Sequence, residues 1–109
     1  NINTFSVADN RLDGTLPPSW SNFELLTEFS LNNNSFSGEI PGSWNTMTTL
    51  VLLNLKDNHL EGSLPPSFSS LSSLRDLRVD NNQISGNLPS EWSSLSGLQY
   101  LHARNNFIE

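Results

Sequence analysis

The chain contains no cysteine, which excludes disulfides, thiolate metal sites and a cysteine nucleophile. Basic residues are also few. Five Lys and Arg stand against eleven Asp and Glu, for a formal net charge of −6. A hold on nucleic acid needs clustered cations, and an anionic-membrane patch needs a polybasic run, so neither is expected. No apolar stretch approaches the roughly 20 residues of a membrane helix, so no direct membrane insertion is expected. The opening residues Asn1-Ile2-Asn3-Thr4 have neither the charged nor the apolar region of a secretory leader. Apolar residues make up only 35% of the 109, which is low for a globule with one central core. It suffices for a chain whose units each bury a narrow stripe against their neighbours.

What the sequence has in place of these features is period. Phe5, Phe29, Leu53, Leu77 and Leu101 recur at a step of 24 residues, as do Asn10, Asn34, Asn58, Asn82 and Asn106. Gly14, Gly38, Gly62 and Gly86 keep the same step, and so do Pro17, Pro41, Pro65 and Pro89. A period in this range carrying L-x-L-x-x-N-x-L marks a solenoid of stacked repeats. Residues 1–109 form one domain of about four and a half repeats. Ile2 falls in register with Leu26, Leu50, Leu74 and Leu98, so the chain is expected to be a piece that starts in mid-repeat, with both caps outside it.

Each copy divides into three parts. Segments such as Phe29-Ser30-Leu31 and Leu77-Arg78-Val79 alternate with period 2, as short strands do. Because every copy runs in one direction, these strands are expected to form a parallel sheet. At the repeated asparagine the chain turns and strands main-chain groups inside; an amide side chain can both donate to and accept from them. Asn10, Asn34, Asn58, Asn82 and Asn106 are therefore expected to form a structural ladder. The glycines that follow suit a left-handed turn. After each proline, apolar residues at i, i+3 and i+6 (Trp44-Met47-Leu50, for example) fit a short 3₁₀ or α turn on the convex side. Ser19, Ser43 and Ser67 are the expected N-caps. The Trp20, Trp44, Phe68, Trp92 column could serve as a carbohydrate-stacking strip, but it shares a face with the leucines and reads as a core ladder.

The pattern L-x-L-x-x-N-x-L-x-G-x-(I/L)-P at this period resembles the plant-type leucine-rich repeat class, from Ile2 to Ile108. The resemblance implies an α/β, right-handed solenoid with a parallel concave sheet, short convex turns, and a second small strand at the Gly-x-(I/L)-Pro stretch. The class includes plant receptor-like kinase ectodomains and polygalacturonase-inhibiting proteins. It also includes surface antigens of kinetoplastid parasites, whose spelling is closest to Leu-Pro-Pro-Ser-Trp-Ser at 16–21. The implied function is non-enzymatic: protein or peptide recognition by an extracellular or cell-surface module of a membrane-anchored parent. The alternatives are a rigid spacer of a surface coat and an inhibitor of a secreted glycanase.

Solenoids of this kind bind on their concave face, and its columns can be read off. They are Thr4, Glu28, Leu52, Asp76, Tyr100; then Ser6, Ser30, Asn54, Arg78, His102; then Ala8, Asn32, Lys56, Asp80, Arg104; and last Asp9, Asn33, Asp57, Asn81, Asn105. The candidate partner-binding residues are Glu28, Leu52, Asn54, Lys56, Asp76, Arg78, Asp80, Tyr100, His102 and Arg104. Leu52 and Tyr100 are apolar or aromatic among charged neighbours, a hot-spot combination; the competing reading packs Leu52 into the strand edge and leaves Arg78 to neutralise Asp76 and Asp80. The Asp/Asn column lacks the convergent loop that calcium requires. His59 and His102 lie in different columns, so no metal and no cofactor are expected. Asn33-Asn34-Ser35 is the single Asn-x-Ser/Thr sequence and makes Asn33 a candidate glycosylation site. No nucleophile elbow and no phosphate-cradling glycine loop is present, which leaves catalysis without a motif.

Overall fold

A computed structural model describes residues 4–23 and 25–108; Ile2 of the leucine column lies outside the described residues. Among the described residues ten short strands alternate around the coils. One set is β1 (Thr4–Ser6), β3 (Glu28–Ser30), β5 (Leu52–Asn54), β7 (Asp76–Arg78) and β9 (Tyr100–His102). The other is β2 (Asp13–Thr15), β4 (Ser35–Glu39), β6 (His59–Glu61), β8 (Ser85–Gly86) and β10 (Phe107–Ile108). Four 3₁₀ turns close the coils: η1 (Pro18–Asn22), η2 (Gly42–Thr46), η3 (Pro66–Ser70) and η4 (Ser90–Ser94). The fold is the expected repeat solenoid, and all four turns are 3₁₀.

The first set forms one parallel sheet in the order β1-β3-β5-β7-β9. Equivalent repeat positions pair directly, Phe29 with Leu53 and Leu53 with Leu77, so the alternation of the strands puts one residue column inside and two outside. The second set pairs differently. It forms two lateral sheets, β2-β4-β6 and β8-β10, in which Asp13 lies opposite Ser35, Glu39 opposite Glu61 and Ser85 opposite Phe107. Each of these pairs is two residues short of the repeat, so the lateral strands slide against the repeat wherever they pair. The slide sets two glutamates side by side, which destabilises a strand pair.

The prolines, not the serines, begin the 3₁₀ turns. Pro17, Pro41, Pro65 and Pro89 occupy the N-cap positions with extended backbones, and none has a side-chain cap. Ser19, Ser43 and Ser67 are thus not N-caps, which corrects the sequence reading. The reason is geometric: the first i+3 bond of each turn already reaches back to the proline carbonyl, as from Trp20 N to Pro17 O at 3.1 Å. That carbonyl is used a second time by the aromatic column. Trp44 Nε1 donates to Pro17 O at 3.0 Å and Trp92 Nε1 to Pro65 O at 2.9 Å. Trp44 and Phe68 are buried, Trp92 nearly so and Trp20 packed against the core, so this column is the core ladder. Trp20 stacks on Trp44 with ring centroids 6.3 Å apart.

Between the concave and lateral sheets runs the asparagine ladder. Asn58 Nδ2 donates to Leu55 O in its own coil at 3.1 Å and to Leu31 O in the preceding coil at 3.0 Å. Its Oδ1 accepts the Phe36 N–H, also in the preceding coil, at 3.1 Å. Asn34 and Asn82 repeat these contacts and are buried with it, whereas Asn10 is exposed. Among the described residues no buried side-chain nitrogen or oxygen lacks a partner.

Two stability changes follow. Asn58→Ala leaves the Phe36 N–H unpaired inside, while Leu31 O and Leu55 O keep the bonds from Asn34 Nδ2 and Asn82 Nδ2; at roughly 1–3 kcal/mol for an unsatisfied buried group, urea denaturation should show a loss of about 1–3 kcal/mol. Glu61→Lys replaces a like-charge pair with an attractive one and should raise stability by about 0.2–1 kcal/mol. A destabilised Glu61→Lys chain would mean that Glu39 and Glu61 do not repel.

Candidate functional site

All ten candidate residues stand on the strands of the concave sheet or on the segments just after them, but they are not equally available. Glu28, Tyr100 and Arg104 are exposed, and Leu52, Lys56, Asp76, Arg78, Asp80 and His102 are half-buried. Asn54 is buried at 8% exposure, with its Oδ1 accepting the Lys56 N–H at 3.2 Å. It holds the exit of β5. Tyr100 is 56% exposed, a large ring left in solvent on the concave sheet, whereas Phe29 of the same sheet is buried.

Charge on this face is partly used internally. Arg78 makes a two-pronged contact with Asp76, Nε to Oδ1 at 3.1 Å and Nη2 to Oδ2 at 3.0 Å. The hydrogen bonds that Arg78 donates to Asp76 raise the Arg78 pKa above its ordinary value, against a smaller opposing push from desolvation, with further support from the charges of Asp76 and Asp80. Such a pair at the surface stabilises the fold by at most about 1 kcal/mol; its effect is to fix the direction of the guanidinium. His102 Nε2 lies 3.8 Å from Asp76 Oδ1. The His102 and Tyr100 rings stack at 6.3 Å with 22° between their planes. Asp80 Oδ1 accepts the Arg104 backbone N–H at 2.9 Å. The structure thus gathers Leu52, Asp76, Arg78, Tyr100, His102 and Arg104 on three adjacent strands, with Glu28 one strand further away.

The fourth column has a role that the sequence reading missed. Asp9, Asn33, Asp57, Asn81 and Asn105 all have left-handed backbones, with φ from 58° to 60°. Only Gly, Asn and Asp enter that region readily, so the restriction to Asp and Asn at every copy was the available signal. Their side chains also bond between coils: Asn33 Nδ2 to Asp9 Oδ1 at 2.5 Å, Asn81 Nδ2 to Asp57 Oδ1 at 2.5 Å and Asn105 Nδ2 to Asn81 Oδ1 at 2.6 Å. The nitrogen that a glycan would occupy on Asn33 is the one donating to Asp9.

Among the described residues no group of three or more His, Asp or Glu side chains is placed to hold a metal ion. No helix among them is long and apolar enough to cross a membrane. A cleft of about 360 Å³ beside β1 is lined by Thr4, Phe5, Ser6, Phe23 and Leu26 and brings no charged groups together.

A coiled array with an inward asparagine ladder, an outward lateral sheet and a varied concave sheet defines a repeat-type scaffold. Residues 1–23, 25–47, 49–71 and 73–95 match the Leucine Rich Repeat family, and the chain belongs to it. Similar solved structures include the PEPR1–AtPEP1 complex, at 31% identity and a TM-score of 0.95, covering 98% of this chain and 15% of that one. The Arabidopsis receptor kinase HAESA, in complex with the peptide hormone IDA and the co-receptor SERK1, is 31% identical with a TM-score of 0.91 (96% and 17% covered). The BIR2 ectodomain from Arabidopsis thaliana is 31% identical with a TM-score of 0.90 (95% and 55% covered). The chain therefore spans only part of the length of these neighbours. No curated protein sequence matches it.

The left-handed column makes a testable prediction. Asn81→Val places a β-branched residue in a conformation that costs L side chains about 1–2 kcal/mol, whereas Asn81→Gly relieves the backbone. Thermal denaturation should find the valine variant less stable than the glycine variant by at least about 1 kcal/mol, although both lose the same side-chain bonds.

Proposed function

We propose that this chain is the recognition module of a secreted or cell-surface leucine-rich repeat protein, that it performs no catalysis, and that it binds a protein or peptide partner on its concave face. One observation carries this reading. The positions that hold the coils together repeat from copy to copy, while the first outward column of the concave sheet changes at every copy, from Thr4 through Glu28, Leu52 and Asp76 to Tyr100. A scaffold with no partner has no need of that variation on one face. The similar structures are plant receptor ectodomains, several of them in complex with peptides, which supports the receptor branch over a surface antigen. The binding residues are Glu28, Leu52, Lys56, Asp76, Arg78, Asp80, Tyr100, His102 and Arg104. Asn54 acts behind them by fixing the exit of β5.

The test is selection of binders from a random dodecapeptide display, followed by substitution. Leu52→Asp and Tyr100→Ala should each weaken the selected peptides by about tenfold or more, in keeping with aromatic and apolar anchors. Ser72→Glu, on an exposed residue of the segment after η3, should leave them unchanged. Peptides that respond to Ser72→Glu and ignore the concave changes would overturn the reading. A chain that selects no peptide would favour the rigid spacer.

A further inference from the structure

The few cations of this acidic chain are unevenly placed. Of the five, Lys56, Arg78 and Arg104 stand in the two middle concave columns beside the one carboxylate of Asp80, and the flanking columns hold the carboxylates of Asp9, Glu28, Asp57 and Asp76. Among the described residues the ion pairs are Arg78 with Asp76 and the looser His102–Asp76 contact, so Lys56 and Arg104 form none. Asp80 lies between them in the column, but one of its oxygens is taken by the Arg104 backbone N–H. Arg78 is different again. Its Nε and one Nη2 hydrogen serve Asp76, and the remaining donors of the five-donor guanidinium are held in place for a second acceptor.

We infer that the concave partner is an extended acidic peptide segment that crosses β5, β7 and β9, with carboxylates over Lys56 and Arg104 and a backbone carbonyl on Arg78. This rests on the concave-face reading above and specifies its chemistry. Lys56 and Arg104 lie two strands apart, about 10 Å at the usual strand spacing. An extended chain rises about 3.3 Å per residue, so the two carboxylates belong about three residues apart. Leu52 and the exposed Tyr100 ring flank the crossing and supply the apolar contact that exposed ion pairs alone do not. The complementarity is directional as well as electrostatic. The strand before the crossing offers Glu28 and no cation, so an acidic segment is guided towards β9.

The experiment is fluorescence anisotropy with the 109-residue chain and three labelled dodecapeptides. One carries glutamate at every third position, and its counterparts carry glutamine or lysine there. An oligogalacturonate of similar length serves as an anionic ligand that is not a peptide. The glutamate peptide should bind best and weaken as salt rises from about 0.01 M to about 0.15 M. The double reversal Lys56→Glu/Arg104→Glu should cost about tenfold or more in affinity with an unchanged circular dichroism spectrum. Glu91→Lys, far from the face, should not matter, and Lys56→Arg should retain binding. Failure of the glutamate peptide to bind at low salt overturns the inference, as does equal binding of the other two peptides or indifference to the reversal. So does tighter binding of the oligogalacturonate, which would assign the face to an anionic polysaccharide. If the glutamine or lysine peptide binds and Tyr100→Ala abolishes it, the acidic partner falls and the concave site stands. If the bound peptide ignores every concave substitution, both fall.

Discussion

Everything in this fold depends on how each coil satisfies its backbone where it leaves the concave sheet. The turn after the strand leaves carbonyls and an amide pointing inwards, where water does not reach. A buried asparagine answers all of them at once and joins its own coil to the one before it. Two consequences come from that single side chain. The coils are held at the spacing of a hydrogen bond, and they are held in register, because the amide reaches one specific pair of groups in its neighbour. The leucines and tryptophans then fill a space whose dimensions are already set.

This division frees the concave sheet. Inward positions and turn positions answer to packing and backbone geometry; the outward positions of β1, β3, β5, β7 and β9 answer to little except solubility. That is where the chain places its exposed tyrosine, its fixed arginine and its unpaired cations. The left-handed Asp/Asn column rims this face and ties successive coils together from the outside. A partner on this face would meet side chains on a nearly regular grid, and the ordering entropy of binding would fall mainly on the partner.

Much of this was legible in the sequence because period is a strong signal. The step of 24 residues placed the strands, the asparagine ladder, the aromatic core column and the glycine turns. What escaped it was local geometry that residue identity leaves open. Serines after proline look like helix caps, but the proline carbonyl already starts the turn. Asn54 stands in an outward column and yet folds back onto its own backbone. The role of the rim residues was hidden, because Asp and Asn suit both solvent and a left-handed turn. The slide of the lateral sheets has no mark in the sequence at all, since each lateral strand keeps the same period whichever neighbour it pairs with.

That slide divides the concave sheet from the lateral ones by the kind of sequence symmetry each tolerates. On the concave sheet every residue abuts its own counterpart, so perfectly identical coils would line up like charges in rows and repel. On the lateral sheets each residue abuts a position two places away, so identical coils could alternate acid and base along the edge and attract. A designer who copied one coil without change would strain the inner surface and strengthen the outer one. Uniform neutral coils would escape that repulsion as well as varied ones do, so electrostatics forbids rows of one charge on the concave surface without calling for a mixture of charged, apolar and aromatic residues there.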